Sequence, residues 1–303
     1  MLLVAIIDIG SNSIRLTIYD GHDPQKLTII HKATHFTRLS SGMNQTGRLA
    51  PDKMAEALAI LAEFKQIMKE HNVTRYKAIA TAAVRAASNQ AYFIKNVAES
   101  TGIDITVISG LDEAYYDYLG VISGLPNLKD AVMVDTGGGS CEIVYIKDGK
   151  LHDSTSLQIG AVTLSDKFKA TDYHWTTNMK EQLALYVHDE IAKVTFLNGL
   201  KGIPCVAVGG SNRSLMRVSQ GNENSVQGCE MTKREVISLI DTITAQTIEE
   251  RKKIIALGEK RAENIVAGLA PIKEIIQLID SPKLIFSEKG LKEGVLLSIL
   301  TEQ

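Results

Sequence analysis

Residues 4–18 read VAIIDIGSNSIRLTI, and residues 131–145 repeat the same phrase as AVMVDTGGGSCEIVY. Asp, Gly and Ser fall in register in the two copies, with Asp8 and Asp135 separated by 127 residues. Each copy is an apolar run, an Asp, a turn of small residues and a second apolar run. This pattern predicts a β-hairpin with a carboxylate at its tip. The repeat therefore predicts two related lobes, each with one such hairpin.

The turn of each hairpin is suited to binding phosphate. Small residues after the Asp let backbone N–H groups approach a ligand closely, and a concave nest of these groups favours an anion. Two hairpins that face each other would hold a phosphate chain from both sides. The alternative is a tight turn that only needs glycine, although three consecutive glycines weaken a strand. The phosphate-binding candidates in the two turns are Gly10, Ser11, Asn12, Ser13, Gly137, Gly138, Gly139 and Ser140.

The composition limits the classes of partner. The chain has 303 residues, enough for two domains, and a net charge of −2, which gives no general basic field for nucleic acid. The N-terminal apolar run ends at Asp8 without a basic flank, and no stretch approaches a membrane span of roughly 18 apolar residues. Three cysteines without a C-x-x-C pattern favour free thiols. We expect a cytoplasmic protein without nucleic-acid or membrane partners; the chain is compatible with a homodimer.

The order of predicted elements is βββαβαβα in the first half, and the second half starts with the same three-stranded meander. This order is typical of ribonuclease H-like lobes, an α/β arrangement found in actin, hexokinase and the chaperone ATPases, in which the ligand lies in the cleft between two lobes. We predict lobes at residues 1–125 and 126–303, with the last helix, about 290–303, packing back on the first lobe. Among the predicted elements are the strand Leu27–His31 and the helices Asn178–Leu197 and Glu259–Ile279.

Six motifs occur in order along nearly the whole chain: Asp8-Ile-Gly-Ser-Asn-Ser-Ile-Arg15, Ala80-Thr-Ala-Ala-Val-Arg85, Ile108-Ser-Gly-Leu-Asp-Glu-Ala114, Asp135-Thr-Gly-Gly-Gly-Ser140, Leu157-Gln-Ile-Gly-Ala161 and Gly290-Leu-Lys-Glu-Gly294. Together they resemble the exopolyphosphatase and guanosine pentaphosphate phosphatase (Ppx/GppA) family. The resemblance implies two actin-like lobes and hydrolysis of phosphoric anhydrides. In the family pattern an Arg is common at Lys292, a Glu at Asp112 and an aliphatic residue at Thr136. These departures leave the substrate preference open.

Carboxylates supply the candidate catalytic and metal residues. Asp135, helped by Asp8, is suited to orient a hydrated Mg²⁺, with Mn²⁺ as an alternative, because magnesium takes one or two carboxylates plus water and phosphate oxygens. Ser109 and Asp112 fit a capping box, which leaves Glu113 free as a general base. The resemblance implies the same role for Glu113. Simple turn acids and a helix N-terminal acid are the alternatives.

Two arginines and a second glycine turn complete the predicted site. Arg15 and Arg85 follow the first turn and a strand end, and guanidinium forks bind phosphate oxygens well. A solvated position is the alternative for each, and Arg15 alternates in phase with Ser13, so it need not point inward. Gly209 and Gly210 follow an apolar strand and resemble the nucleotide-side turn of the wider fold, although a plain strand-to-helix turn is nearly as good an interpretation.

We interpret the chain as an exopolyphosphatase that releases terminal orthophosphate from inorganic polyphosphate. Hydrolysis of guanosine pentaphosphate to tetraphosphate is the first alternative, a sugar or acetate kinase the second, and a non-catalytic binder the third. We expect the C-terminal helical extension of longer family members to be missing, and therefore expect weaker binding of long polyphosphate. Two other patterns are interpreted as carrying no site: the solvated face Arg251-Lys252-Lys253, and the His-Asp pairs at 22–23, 152–153 and 188–189.

Overall fold

The computed structural model describes residues 2–21, 28–168 and 173–301. Its first sheet has five strands in the order β3-β2-β1-β4-β5. Strands β1 to β3 form an antiparallel meander, and β4 and β5 run parallel to β1. Every residue of β1 is buried, because helices cover both faces of this central strand. The strands are β1 Leu3–Ile9, β2 Ile14–Asp20, β3 Thr28–His35, β4 Arg75–Ala80 and β5 Ile105–Val107.

The second sheet repeats the meander and adds one strand at its far edge. The order of its six strands is β10-β11-β9-β6-β7-β8, with β6, β7 and β8 antiparallel and β9 and β11 parallel to β6. The two sheets confirm the predicted α/β class and the predicted duplication. The strands are β6 Ala131–Thr136, β7 Cys141–Lys147, β8 Lys150–Leu157, β9 Cys205–Val208, β10 Glu230–Thr232 and β11 Lys283–Phe286.

Thirteen helices among the described residues surround the sheets. They are α1 Met43–Thr46, α2 Pro51–Glu70, α3 Ala82–Ala86, α4 Gln90–Thr101, α5 Gly110–Gly124, α6 Ala161–Lys167, α7 Thr177–Ala192, α8 Gly210–Gln220, α9 Lys233–Ala245, α10 Ile248–Lys252, α11 Glu259–Ala262, α12 Ile265–Leu278 and α13 Leu291–Thr301. None of the described helices combines the length and the apolar character needed to cross a bilayer.

Some predicted bounds are wrong. The predicted helix 259–279 is two helices, α11 and α12, because the Ala262 carbonyl accepts a hydrogen bond from Arg251 Nε at 3.2 Å and leaves the helical ladder. The predicted helix 178–197 ends at Ala192 and is followed by a 3₁₀ turn at Thr195–Leu197. The predicted strand at 27–31 extends to His35, and Leu27 itself lies outside the described residues.

Helices α5 and α13 pack against each other and join the two halves of the molecule. Apolar residues of α5, including Ala114 and Val121, pack on the second sheet, whereas Val295 and Leu296 of α13 pack on the first. The last helix thus contacts the first sheet, and α5, which the sequence assigns to the first lobe, contacts the second. The boundary at residue 125 stays a prediction.

Candidate active site

The two hairpin turns have the same local geometry. Gly10 N donates to Ser13 O at 3.0 Å in the first, and Gly137 N donates to Ser140 O at 3.0 Å in the second. Each turn follows a buried strand that ends in an apolar run and an Asp, as the sequence repeat predicts. The duplication therefore extends to the hydrogen bond that closes each turn.

The two turns face each other in direct contact. A Cβ on Gly138 would lie 2.9 Å from Asn12 N, and a Cβ on Gly139 would lie 2.3 Å from Ser11 Oγ. Any larger residue would push the hairpins apart, so the glycines are explained by close approach of the two lobes.

A polar cavity of about 120 Å³ lies beside this contact. It is lined by residues of both hairpins, of α5, of the α8 N-terminus and of the segment that leads into α13. Among the residues predicted for the site, the cavity brings together Asp8, Gly10, Ser11, Asn12, Ser13, Arg15, Glu113, Asp135, Gly137, Gly138, Gly139, Ser140, Gly209 and Gly210. Arg85 is the predicted site residue that does not line it.

Asp8 and Asp135 occupy matching places at the ends of β1 and β6. Burial raises the pKa of both carboxyls, and nearby arginines oppose that rise: Arg15 beside Asp8, with Nη1 to Oδ2 at 3.7 Å, and Arg213 beside Asp135. Two buried carboxylates in a polar cavity are hard oxygen donors suited to Mg²⁺. No cluster of three or more metal-binding side chains occurs within the described ranges. The residues therefore fit a hydrated magnesium ion that takes its other ligands from water and phosphate.

Glu113 lies in the first turn of α5, and the predicted capping box at that helix start is confirmed. Ser109 Oγ accepts from Asp112 N at 3.0 Å, and Asp112 Oδ2 accepts from Ser109 N at 3.2 Å. Asp112 is thus used in the cap, while the buried Glu113 side chain reaches the cavity. Burial raises the pKa of Glu113 to about 7, against the lowering effect of Arg85. A carboxyl that titrates near neutral pH is suited to accept a proton from water.

Arg85 holds Glu113 in place. Its Nη1 donates to Glu113 Oε2 at 3.0 Å and to the Ile108 carbonyl at 2.9 Å, so the guanidinium bridges the α5 start and the carboxylate. The predicted contact of Arg85 with phosphate stays a prediction, whereas its contact with Glu113 is present.

Gly209 and Gly210 form a tight turn at the start of α8. Gly209 has a φ of +88°, and a Cβ there would lie 2.3 Å from Asp135 Oδ1. A Cβ on Gly210 would lie 2.1 Å from the Arg261 guanidinium. Both glycines thus allow close approach of charged groups at the cavity.

The sequence analysis did not assign to the site four cations that line the cavity, although Lys292 lies in one of the six motifs: Arg213, Lys260, Arg261 and Lys292. Burial lowers the pKa of Arg213 and lowers that of Arg261 to about 9, and neighbouring arginines act in the same direction. The proximity of Arg213 to the Gly209-Gly210 turn was a usable indication. Lys260 and Arg261 belong to a charged segment with no distinctive pattern.

The interpretation of residues 251–253 as a solvated face is wrong for Arg251. This side chain is 1% exposed, and its guanidinium donates to the carbonyls of Gln246, Ala262 and Tyr173. Lys252 and Lys253 are exposed. The His-Asp pairs at 152–153 and 188–189 lie away from the cavity, and the pair at 22–23 lies outside the described residues.

Residues 17–303 match the profile of the Ppx/GppA phosphatase family. The chain belongs to this family. The first turn lies outside the matched residues, and its place in the site comes from the structure.

Individual proteins of known name resemble the chain along nearly its full length. It is 27% identical to the bifunctional 3-dehydroquinate synthase/phosphatase of Fusobacterium nucleatum over 97% of the chain, although it spans only 46% of that protein. It is 25% identical to exopolyphosphatase 2 of Mycobacterium tuberculosis, over 98% of each. The crystal structure of the Aquifex aeolicus member of the Ppx/GppA family superposes with a TM-score of 0.82 and 33% identity, covering 99% of this chain and 97% of that one.

Membership in the Ppx/GppA family confirms the fold and the reaction class. The chain has two actin-like lobes with the cavity between their hairpins. Ppx/GppA phosphatases are hydrolases that act on phosphoanhydride bonds, which favours hydrolysis over the kinase alternative.

Proposed function

We propose that this Ppx/GppA phosphatase is an exopolyphosphatase that hydrolyses terminal phosphate from inorganic polyphosphate with Mg²⁺. The cavity lining is the observation that carries the proposal. Among the described lining residues are five cationic side chains, five carboxylates and the small residues of two hairpin turns. Cations and backbone amides recognise phosphate oxygens, and carboxylates can hold a metal ion that neutralises phosphate charge. The lining therefore fits a terminal phosphoryl group, and polyphosphate is the substrate that consists of such groups alone. The name of the Mycobacterium tuberculosis relative agrees with this choice.

In the proposed reaction the residues of the cavity bind phosphate, hold the metal ion and accept a proton. Amides of the two turns, with Arg15, hold the terminal phosphoryl group. Asp135 and Asp8 would hold Mg²⁺, which supplies neutralisation of phosphate charge when bound. Ionised Glu113 accepts a proton from a water molecule whose oxygen forms a bond to the terminal phosphorus. The bridging P–O bond breaks, and the shortened chain leaves with its electron pair. Positioning and charge neutralisation account for most of the rate.

The test compares two substrates under the same conditions. Phosphate release is measured with Mg²⁺ on polyphosphate and on guanosine pentaphosphate, and we expect a kcat/KM at least tenfold higher on polyphosphate. A higher kcat/KM on guanosine pentaphosphate would contradict the proposal and would identify that nucleotide as the preferred substrate.

Two variants separate catalysis from binding. Glu113→Gln should lower kcat by at least about 100-fold, the usual contribution of a general base, and should leave polyphosphate binding in place. Asp112→Asn is the matched control, since it changes the neighbouring carboxylate, which serves the helix cap. A Glu113→Gln protein with full activity would contradict the mechanism.

A further inference from the structure

Lys292 is a cation that lines the cavity and whose nearest described side-chain contact is a hydroxyl, not a carboxylate. It is the second residue of α13, lines the cavity, and places Nζ 3.4 Å from Thr17 Oγ1. Among the described residues it forms no ion pair within 4.0 Å. An ammonium carries three donors, so Thr17 leaves donors available for an anion.

The position of β2 beneath α13 explains why Lys292 lies on the same side of the cavity as Arg15. Alternate residues of β2 share one face, and Arg15, Thr17 and Tyr19 therefore follow one another along it. Arg15 lines the cavity, Thr17 contacts Lys292, and Tyr19 contacts Glu293. Lys292 of α13 therefore contacts Thr17, the residue next to Arg15 on this face of β2.

The start of α13 is fixed firmly. Tyr19 Oη donates to Glu293 Oε1 at 2.7 Å, and Gly290 N donates to Glu293 Oε2 at 3.1 Å. A Cβ on Gly294 would lie 1.8 Å from the Tyr116 carbonyl, so α13 packs closely on α5. With its helix held on both sides, Lys292 has little freedom to leave the cavity.

The charged groups around Lys292 do not prevent an added anion from binding to its ammonium group. Asp8 and Glu293 face it as anions, and Arg15 and Arg213 face it as cations. Burial of the ammonium lowers its pKa, and a bound phosphate oxygen would favour the charged form. A lysine here presents a compact point charge in place of the fork that an arginine would offer.

We propose that Lys292 donates a hydrogen bond to an oxygen of the phosphoryl group held beside Asp8 and Arg15, and so sets the affinity of the site for the terminal phosphate. This inference rests on the proposed function. It also assigns a binding role to the last helix, which lines the cavity together with the two hairpins, α5 and the α8 N-terminus.

The test uses the full chain with Lys292→Met, which keeps a long apolar side chain and removes the charge. We expect its KM for polyphosphate and its inhibition constant for orthophosphate to rise at least about tenfold, the effect of one charge-assisted hydrogen bond, with a smaller change in kcat. Lys292→Arg restores the charge and should stay within about threefold of the unaltered protein on both constants. Lys289→Met is the matched control, because Lys289 lies near the same helix start but donates to the Ser123 carbonyl outside the cavity.

Two results would overturn the inference. One is a folded Lys292→Met protein whose two constants stay within twofold of the unaltered protein. The other is Lys289→Met raising them as much as Lys292→Met does. Calorimetric titration with inorganic phosphate and Mg²⁺ keeps the test separate from the proposed function: phosphate binding lost in Lys292→Met and regained in Lys292→Arg supports Lys292 even if polyphosphate is not hydrolysed.

Discussion

Arg85 Nη1 donates to Glu113 Oε2 at 3.0 Å, and this contact sets the pH at which the candidate base works. Burial raises the pKa of Glu113 to about 7, and Arg85 restrains that rise. A base acts only when ionised, so kcat/KM should increase about tenfold per pH unit below pH 7 and level off above it.

Arg85→Gln should therefore move the rising limb of the plot of kcat/KM against pH to higher pH, because it removes the charge that favours ionised Glu113. The profile of kcat/KM from pH 5 to 9 measures the shift. Arg75→Gln is the control, since Arg75 donates to the Ile299 carbonyl, does not line the cavity and is not among the charges that shift the pKa of Glu113, so it should leave the pH profile in place. A limb that does not move in Arg85→Gln would contradict the role of this contact.

The contact between the hairpin turns predicts a graded series of glycine variants. Gly138→Ala would place a Cβ 2.9 Å from Asn12 N and should push the lobes apart, with activity falling at least about tenfold, the rate effect of ~1.4 kcal/mol. Gly137→Ala would meet only the Ser140 carbonyl at 3.3 Å and should lose much less. Steady-state hydrolysis rates measure both. Equal losses in the two variants would show that the spacing of the turns does not matter.

Removal of the metal tests the two hairpin carboxylates. Chelation should abolish activity, and added Mg²⁺ should restore it. Asp135→Asn and Asp8→Asn should raise the Mg²⁺ concentration for half-maximal activity by roughly tenfold or more, which corresponds to ~1.4 kcal/mol of binding energy. Titration of activity with Mg²⁺ measures this. Unchanged Mg²⁺ dependence in both variants would remove these residues from the metal site.

Close packing around α5 predicts a large loss of stability in one glycine variant and a small loss in another. A Cβ on Gly120 would lie 2.1 Å from the Gly290 carbonyl, which is backbone and cannot move aside, so Gly120→Ala should cost about 3 kcal/mol. A Cβ on Gly124 would lie 2.8 Å from Gln227 Nε2, the end of a side chain that can move, so Gly124→Ala should cost only about 1 kcal/mol, the hydrogen bond from Gln227 to the Gly124 carbonyl. Urea unfolding of both variants gives the comparison.

Replacement of the buried Asp117 should stabilise the protein by an amount that depends on pH. It is 1% exposed, and burial together with Asp135 and Glu142 raises its pKa well above the ordinary value. A carboxyl whose pKa is raised in the folded state destabilises the fold increasingly as pH rises above its unfolded value. Without metal, Asp117→Asn should therefore stabilise the protein at pH 6 and stabilise it more at pH 8.5, because the penalty of ionising the buried carboxyl grows with pH.

Urea unfolding at the two pH values measures this gain. Exposed Asp104→Asn is the control and should show no such trend. Loss of stability at pH 8.5 in Asp117→Asn would contradict the prediction.

Local rules made much of the site predictable. Strand, turn and cap depend on residues near one another in the chain, so the repeat located both hairpins and the Ser109–Asp112 cap freed Glu113 for the cavity. Helix breaks were less predictable, because the end of α11 depends on Arg251, which is buried by contacts from distant segments.

The sequence by itself determined the two hairpins, their acids and the helix start that carries Glu113, because each is encoded within a few consecutive residues. Only the tertiary structure decided which cations line the cavity, that Arg85 contacts Glu113, and that α13 brings Lys292 beside Thr17. Burial and charge pairing depend on which distant segments meet. An ordinary Lys or Arg has no local pattern that distinguishes a cavity wall from a solvated surface.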